Sequence, residues 1–447
     1  MKLKRRQLLQ LISSGLALGM GRWVDAAPSR WQNWSGNQSH HAHLHYPAST
    51  QALAQLLPTL TGTLRVVGGS HSFSPLISGA DHIISLERLA GLLAIDSEQK
   101  TVRYGAGTRL MMASSQAWEA GFSFINEPDI NLQSLAGAIA TSTHGTGSTL
   151  PSLSGQVAAL TLLTSQGETL NLSPADGDLF RAACCHLGAL GIVTDITFQH
   201  QEAYHLIERT RVMSLRDAMD YCDSNHSRIR NLEFFAFPRG NTAIVKELVI
   251  SDTPQTHNAP DDDNALLEWA CELTMKMPWL IPVVQRALGL FVSDSERGGP
   301  AHLVYANNRT VPFNEMEYSV PLNVGMQCMD ELCHHYQKQR VAMFFPMEFR
   351  YSAADNSLIS MFTNQPGVSI SVHQYAKMPH QKWFDGIEPI FHRYQGRPHW
   401  GKLHSLGYRQ LVELYPEYDT FCRLRQQLDP TNRLINPHLQ QLFGITA

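Results

Sequence analysis

The chain has 447 residues, 43% hydrophobic and 17% charged, with a formal net charge of −4. That is ordinary globular composition, long enough for two or three domains and a large core, and its near-neutral balance gives no electrostatic reason to expect nucleic acid as a partner. Seven cysteines are scattered, two of them adjacent at Cys184 and Cys185, with no CxxC pair, so neither a zinc site nor a disulfide scaffold is indicated.

The first residues, "MKLKRRQLLQLISSGLALGMGRWVDAAPS", join a basic start (Lys2, Lys4, Arg5, Arg6) to an apolar stretch and end in the small-residue pattern Val24-Asp25-Ala26. The stretch from Leu8 to Met20 is too short, and too broken by Ser and Gly, to span a bilayer. Arg5-Arg6-Gln7-Leu8-Leu9 looks like a twin-arginine signal. Residues 1–26 are therefore expected to engage export machinery and to send the folded chain to a bacterial periplasm. Export after folding suits a protein that takes up a cofactor first; a general secretory signal with two incidental arginines is the alternative. The run "SHHAHLHY" follows, with His40, His41, His43 and His45. On a strand, alternate imidazoles would share a face. Exposed histidines near a mature N-terminus are the commoner explanation, and no metal site is assigned.

From Thr63 to His200 the chain is dense in short strands: "TLRVV", "DHIISL", "LLAID" and "KTVRYGAG" are β-rich and broken by turn residues. "TRLMMASSQAWEAG" has helical spacing with a stop at Gly121. "QVAALTLLTSQGETLNL" predicts two strands around a Gln-Gly turn, and "DLFRAACCHLGALGIVTDITFQ" a helix closed by glycines and then a strand. Alternation without long parallel βαβ units points to an α+β class. Beyond residue 200, "VMSLRDAMDYCDSN" and "DNALLEWACELTMKMPWLIPVVQRALGLFV" read as helices around the acidic loop "SDTPQTHNAPDDDN". "NEMEYSVPL", "AMFFPMEFRYSA" and "SLISMFTN" read as strands of a second sheet. After about Arg397 the only strong helix is "YDTFCRLRQQL".

Three motifs carry chemistry. In Val67-Gly68-Gly69-Ser70-His71-Ser72 the glycines let the backbone approach a ligand, and successive N–H groups form an anion nest suited to a diphosphate. "SLAGAIATSTHGTGS" (Ser134 to Ser148) is small at nearly every position from Leu135 to Gly147, and Thr141, Ser142, Thr143, His144 and Thr146 supply polar groups at close range. In "HLGALGIVTDITF" a glycine pair precedes a strand. Taken singly, a tight hairpin, a close-packed turn and a helix cap account for them as well.

In this order, GGSHS, HGTG and GALGIV resemble the FAD-binding domain of flavoenzymes of the vanillyl-alcohol-oxidase type. "EMEYSVP", "MEFRYSAAD" and "PHWGKLH" are similar to the sugar-1,4-lactone oxidase and alditol oxidase branch, and the match covers most of the chain from about residue 30. The resemblance implies an α+β fold: a two-subdomain FAD-binding domain with a mixed α/β substrate (cap) domain. The expected boundaries are 27–203 for the FAD domain, 204–396 for the cap, and 397–447 for a segment returning to the FAD domain. It implies FAD as cofactor, with His71 bonded to the flavin 8α-methyl carbon. Doubly linked members carry a cysteine near the second motif; Leu135 to Gly147 has none, so a single link is expected. The implied flavin-side residues are Val67, Gly68, Gly69, Ser70, His71, Ser72, Ser134, Gly137, Thr141, Thr143, His144, Gly145, Ile192 and His399.

On the substrate side, Glu348 and Arg350 stand at i and i+2 of a strand and face one way. A carboxylate accepts a hydroxyl hydrogen bond, and a guanidinium suits a lactone or enediol-like oxygen or reduced flavin. Lys402 follows His-Trp-Gly and, by resemblance, is a candidate base whose pKa a cationic neighbour would lower. His373 is a further candidate. Counting back from His144 puts Pro128 where relatives control oxygen access, a residue type associated with reaction with oxygen. Asp129, the next position, is expected to contact substrate hydroxyls. The implied reaction is FAD-dependent oxidation of a CH–OH group of a sugar 1,4-lactone of the arabinonolactone or gulonolactone type. Hydride would pass to flavin N5, and oxygen or a respiratory electron acceptor would reoxidise the flavin. An alditol (polyol) oxidase is the nearest alternative, and a flavin-free periplasmic binding protein the alternative from another class.

Overall fold

The computed structural model describes residues 28–257, 264–291 and 294–445. The signal-like segment 1–26 lies outside the described residues. Three sheets organise the rest. The first joins β1 (Ser29–Gln32), β2 (Ser39–His45), β3 (Leu64–Val67) and β4 (His82–Ser85) in the order β1-β2-β4-β3, with β4 parallel to both β2 and β3. The second contains β5 (Leu92–Asp96), β6 (Thr101–Gly105), β7 (Phe122–Phe124), β8 (Val157–Leu163), β9 (Thr169–Leu172) and β10 (Ile192–Glu202). Its order is β5-β6-β10-β8-β9, with β7 also pairing β10.

The third sheet is antiparallel and eight-stranded: β11 (His205–Ser214), β12 (Asn231–Phe237), β13 (Thr242–Ser251), β14 (Ser295–Pro300), β15 (Phe313–Pro321), β16 (Met347–Ser352), β17 (Gly367–Tyr375) and β18 (Arg397–Pro398). The order is β14-β11-β13-β12-β16-β17-β15-β18. One continuous hydrophobic core reaches all three sheets, through Ile84, Leu162 and Phe234 among others. Helices set beside largely antiparallel sheets, with parallel strand pairing confined to the first, make this an α+β protein. No described helix is long and apolar enough to cross a membrane.

Between residues 63 and 200 most strands and helices fall where period-two and helical patterns place them, while strand Phe122–Phe124 and helix Leu135–Ala140 were not expected. The second half differs. Strands β11 to β14 escape the pattern reading because polar residues on β11 are matched across the ladder. Arg297 donates to both oxygens of Glu208, at 2.8 and 3.0 Å, and Arg209 to Glu296 at 2.8 Å. "SLISMFTN" is a buried turn and not a strand. Asp355 organises it, its carboxylate accepting from Ser152 Oγ (2.9 Å), Ser360 Oγ (2.6 Å) and Ser357 N (3.1 Å). Helices Tyr408–Leu414 and Pro437–Phe443 add to the expected Tyr418–Leu428. The histidine run forms β2, where His45 Nε2 lies 3.0 Å from His82 Nδ1 on β4.

A buried cation ties the C-terminal segment to the first and third motifs. Arg65 on β3 donates to the carbonyls of Leu76 (2.6 Å), Gly188 (2.9 Å) and Leu434 (2.6 Å), and also to Leu187. Burial alone pulls its guanidinium down to about 10, partly countered by Asp429. Replacing Arg65 by Met leaves these buried carbonyls without a donor, so the expected loss is about 3 kcal/mol or more. Chemical unfolding measures it; a variant as stable as the parent would mean that the carbonyls find other donors.

Candidate active site

Strand β3 ends at Val67 and the chain turns through Gly68 to Ser72. Ser70 takes a left-handed φ of 57°. A Cβ on Gly68 would lie 2.0 Å from Ser134 Oγ, and one on Gly69 2.9 Å from Leu132 O. The glycines therefore let the first motif lie against the second; bringing backbone to a ligand is not their only task. The N–H groups of Gly69, Ser70, His71 and Ser72 donate to no protein acceptor among the described residues. Trp34 stacks on His71 with ring centroids 5.8 Å apart. Burial, with help from Arg109 and Lys402, pulls the His71 imidazole down to about 4, so it is neutral near pH 7.

Ser134 caps the short helix Leu135–Ala140, accepting from Gly137 N at 3.4 Å, and Thr141 Oγ1 donates to Gly137 O at 3.2 Å. In the third motif Leu187 and Gly188 both have positive φ, and Leu187 N donates to Ala140 O at 3.0 Å. His186 Nδ1 accepts from Gly188 N at 3.1 Å, which leaves Nε2 as the protonated nitrogen. That nitrogen is buried without a partner, and burial holds the ring near 3.

These turns form one wall of a cavity of about 1210 Å³. Val67, Gly68, Gly69, Ser70, His71, Ser72, Ser134, Gly137, Thr141, Thr143, His144, Ile192 and His399 all line it, as do Asp129, Glu348, Arg350, His373 and Lys402. Gly145 does not line it; its absent side chain makes room for Glu127 O, which a Cβ would approach to 2.3 Å.

The opposite wall is the third sheet. Glu315 and Glu317 share one face of β15, and both are buried. Glu317 lies 2.7 Å from His144 Nε2, 2.9 Å from Ser371 Oγ and 3.3 Å from Arg350 Nη2. Arg350 also pairs with Glu348 at 3.2 Å, and its Nε is buried without a partner. Glu315 contacts Lys402 Nζ directly and sits 3.5 Å from His373 Nε2. The expected cationic neighbour of Lys402 is thus corrected: its ion-pair partner is a carboxylate. His399 Nδ1 accepts from Gly401 N at 3.0 Å, and burial holds that ring near 3. Asp129 faces Arg309 at 3.6 Å, and Pro128 lines the cavity beside it.

Sequence reasoning missed His186, Glu315 and Glu317. The two carboxylates at alternate positions of "EMEYSVP" were a usable signal; His186 had none. Among the described residues His144, Glu317 and His399 offer ligand atoms within 4.8 Å of one another. The carboxylate there is already committed to His144 and Arg350, so the cluster reads as a hydrogen-bonded charge pair and not as a metal centre.

Comparison with known proteins places two family matches along the chain. Residues 196–442 match the D-arabinono-1,4-lactone oxidase family and residues 42–173 the FAD binding domain family. L-gulono-1,4-lactone dehydrogenase of Mycobacterium tuberculosis is 31% identical over 425 residues, covering 93% of this chain and 99% of that protein. L-gulonolactone oxidase of Mus musculus is 26% identical over 431 residues, covering 93% and 98%. Among solved structures, cholesterol oxidase from B. sterolicum superposes with a TM-score of 0.76 at 16% identity, covering 93% of this chain and 97% of the other. That likeness shows the fold, the vanillyl-alcohol-oxidase type.

Glu127, next to Pro128, supplies a pH test. Ser114 Oγ donates to one carboxyl oxygen at 2.6 Å, while the other is buried without a partner. Burial pushes the carboxyl from 4.5 up to about 7. A raised carboxyl pKa makes stability greatest below 4.5 and erodes it as pH rises through 7, by about 3 kcal/mol in all. In Glu127→Gln this loss should vanish from chemical-unfolding curves taken between those limits; an unchanged pH slope would contradict it.

Proposed function

The chain belongs to the D-arabinono-1,4-lactone oxidase family of FAD-dependent oxidoreductases, and on that premise we propose that it oxidises a CH–OH group of an aldono-1,4-lactone with FAD held through a bond to His71. The residues fit the cofactor. Four consecutive N–H groups without protein acceptors, from Gly69 to Ser72, suit a diphosphate. His186 Nε2 offers a buried donor with no other use, and the neutral His71 imidazole has the free electron pair that covalent attachment requires.

The observation that carries the reading is the meeting of Glu348, Arg350, His373 and Lys402 on the cavity wall facing the GGSHS turn. FAD, when bound, supplies a hydride acceptor that oxygen or a respiratory electron acceptor later restores. Arg350, with an unpartnered Nε, binds the electron-rich lactone oxygens. Glu348 is committed to a single ion pair and takes the hydroxyl proton as the CH–OH carbon is oxidised. Asp129 orients a neighbouring hydroxyl and disfavours substrates with a carboxylate at that end. The twin-arginine-like start supports a periplasmic location.

Purified mature protein should turn over L-gulono-1,4-lactone or D-arabinono-1,4-lactone well ahead of xylitol when an artificial electron acceptor is supplied. Xylitol as the better substrate would move the chain to alditol oxidation. Yellow colour that stays with the acid-precipitated pellet, and leaves it in His71→Ala, is the expected sign of the covalent bond; colour released from the parent protein would remove it. Oxygen uptake against reduction of a quinone or cytochrome would identify the natural acceptor.

A further inference from the structure

We infer that Glu315 is a positioning residue that ion-pairs Lys402 and holds His373 as an imidazolium, so that substrate meets a fixed cation there and His373 is not the proton acceptor. Glu315 lies within the nine-residue strand β15, directly across the ladder from His373 on β17. Lys402 arrives from the loop after β18, which is pinned to the same strand. Leu403 N donates to Glu315 O at 2.9 Å, and His399 N to Glu317 O at 3.0 Å. The ammonium contacts one carboxylate oxygen of Glu315 and stands 5.0 Å over the ring of Phe73.

The protonation of His373 follows from the two oxygens beside its ring nitrogens, and Phe313 packs edge-on against the ring. Its Nδ1 faces the Pro346 carbonyl at 3.1 Å and its Nε2 faces the other Glu315 oxygen at 3.5 Å. Neither oxygen brings a proton, so the ring satisfies both only by carrying one on each nitrogen. The remaining charged and titratable groups facing the pair are Glu317 on β15, Glu348 on β16, and the imidazoles of His71 and His399. Both imidazoles are kept neutral by burial. Burial opposes a charge on Glu315 too, but Lys402 and His373 outweigh it and bring the carboxyl down to about 2. Burial likewise opposes charge on His373, and Glu315 outweighs it and raises the imidazole above 6.5. The chemical consequence rests on the lactone-oxidation reading: with Lys402 tied to Glu315 and His373 already protonated, the hydroxyl proton goes to Glu348. The charge states themselves do not depend on that reading.

The test is NMR titration of ring-labelled histidine in the flavin-loaded protein, with the His373 signal assigned by its loss in His373→Asn. In the parent protein His373 should titrate above the ordinary 6.5. In Glu315→Gln it should titrate at least about one pH unit lower, since an adjacent carboxylate supports a cation by about that much or more. The basic limb of the kcat/KM profile should move down by a similar interval, and Glu315→Asp should restore most of both. Titration of the parent His373 below 6.5 overturns the inference even if Glu315→Gln does not fold, as does a folded Glu315→Gln with an unmoved His373. Absence of lactone turnover in the parent defeats the proposed function instead and leaves the titration result standing.

Discussion

Burying two carboxylates side by side is the constraint from which the site follows. Glu315 and Glu317 stand two residues apart on one face of β15, and water reaches neither. Removing an ion from water costs several kcal/mol unless partners replace the lost hydration. The partners come from separate places: His144 from the second motif, Arg350 from β16, His373 from β17, and Lys402 from the returning C-terminal segment. No single element satisfies the pair. The cofactor-side turn, the substrate sheet and the last fifty or so residues must assemble together, which places the cofactor wall and the substrate wall in one cavity.

Burial then sorts the ionisable groups into two classes. His71, His186 and His399 lie against the cofactor wall without a carboxylate strong enough to keep them charged, and desolvation leaves them neutral. Arg350 and Lys402 reach the same cavity paired to carboxylates. A neutral imidazole suits a nucleophile or a hydrogen-bond donor; a fixed cation suits the electron-rich oxygens of a lactone. The protein thus supplies position and charge for a reaction whose redox chemistry belongs to the cofactor.

Much of this was legible in the sequence, for physical reasons that also explain what was not. Apart from β7, strands β3 to β10 announce themselves because short β-rich runs are closed by turn residues. His71, His144, Glu348 and Arg350 were found because they sit in short motifs whose spacing survives without coordinates. Strand β11 was hidden because its polar residues are neutralised by partners on β14, some ninety residues away in the chain. "SLISMFTN" looked like a strand because it is apolar; its backbone and side-chain hydrogen bonds in fact turn around Asp355. Glu315 and Glu317 were quoted but given no role, since a glutamate in a strand ordinarily faces water. Gly145 carried a motif's credit for contacting a ligand, whereas its Cβ-less face receives the backbone of Glu127.

The most direct measurement is an anaerobic titration of the purified protein with L-gulono-1,4-lactone, followed by the visible absorbance of its flavin. The account predicts that the flavin band bleaches in proportion to the lactone added, with oxidised lactone formed in equal amount. A flavin that keeps its full absorbance in the presence of gulono- and arabinono-1,4-lactones, or a protein that binds no flavin, would contradict it.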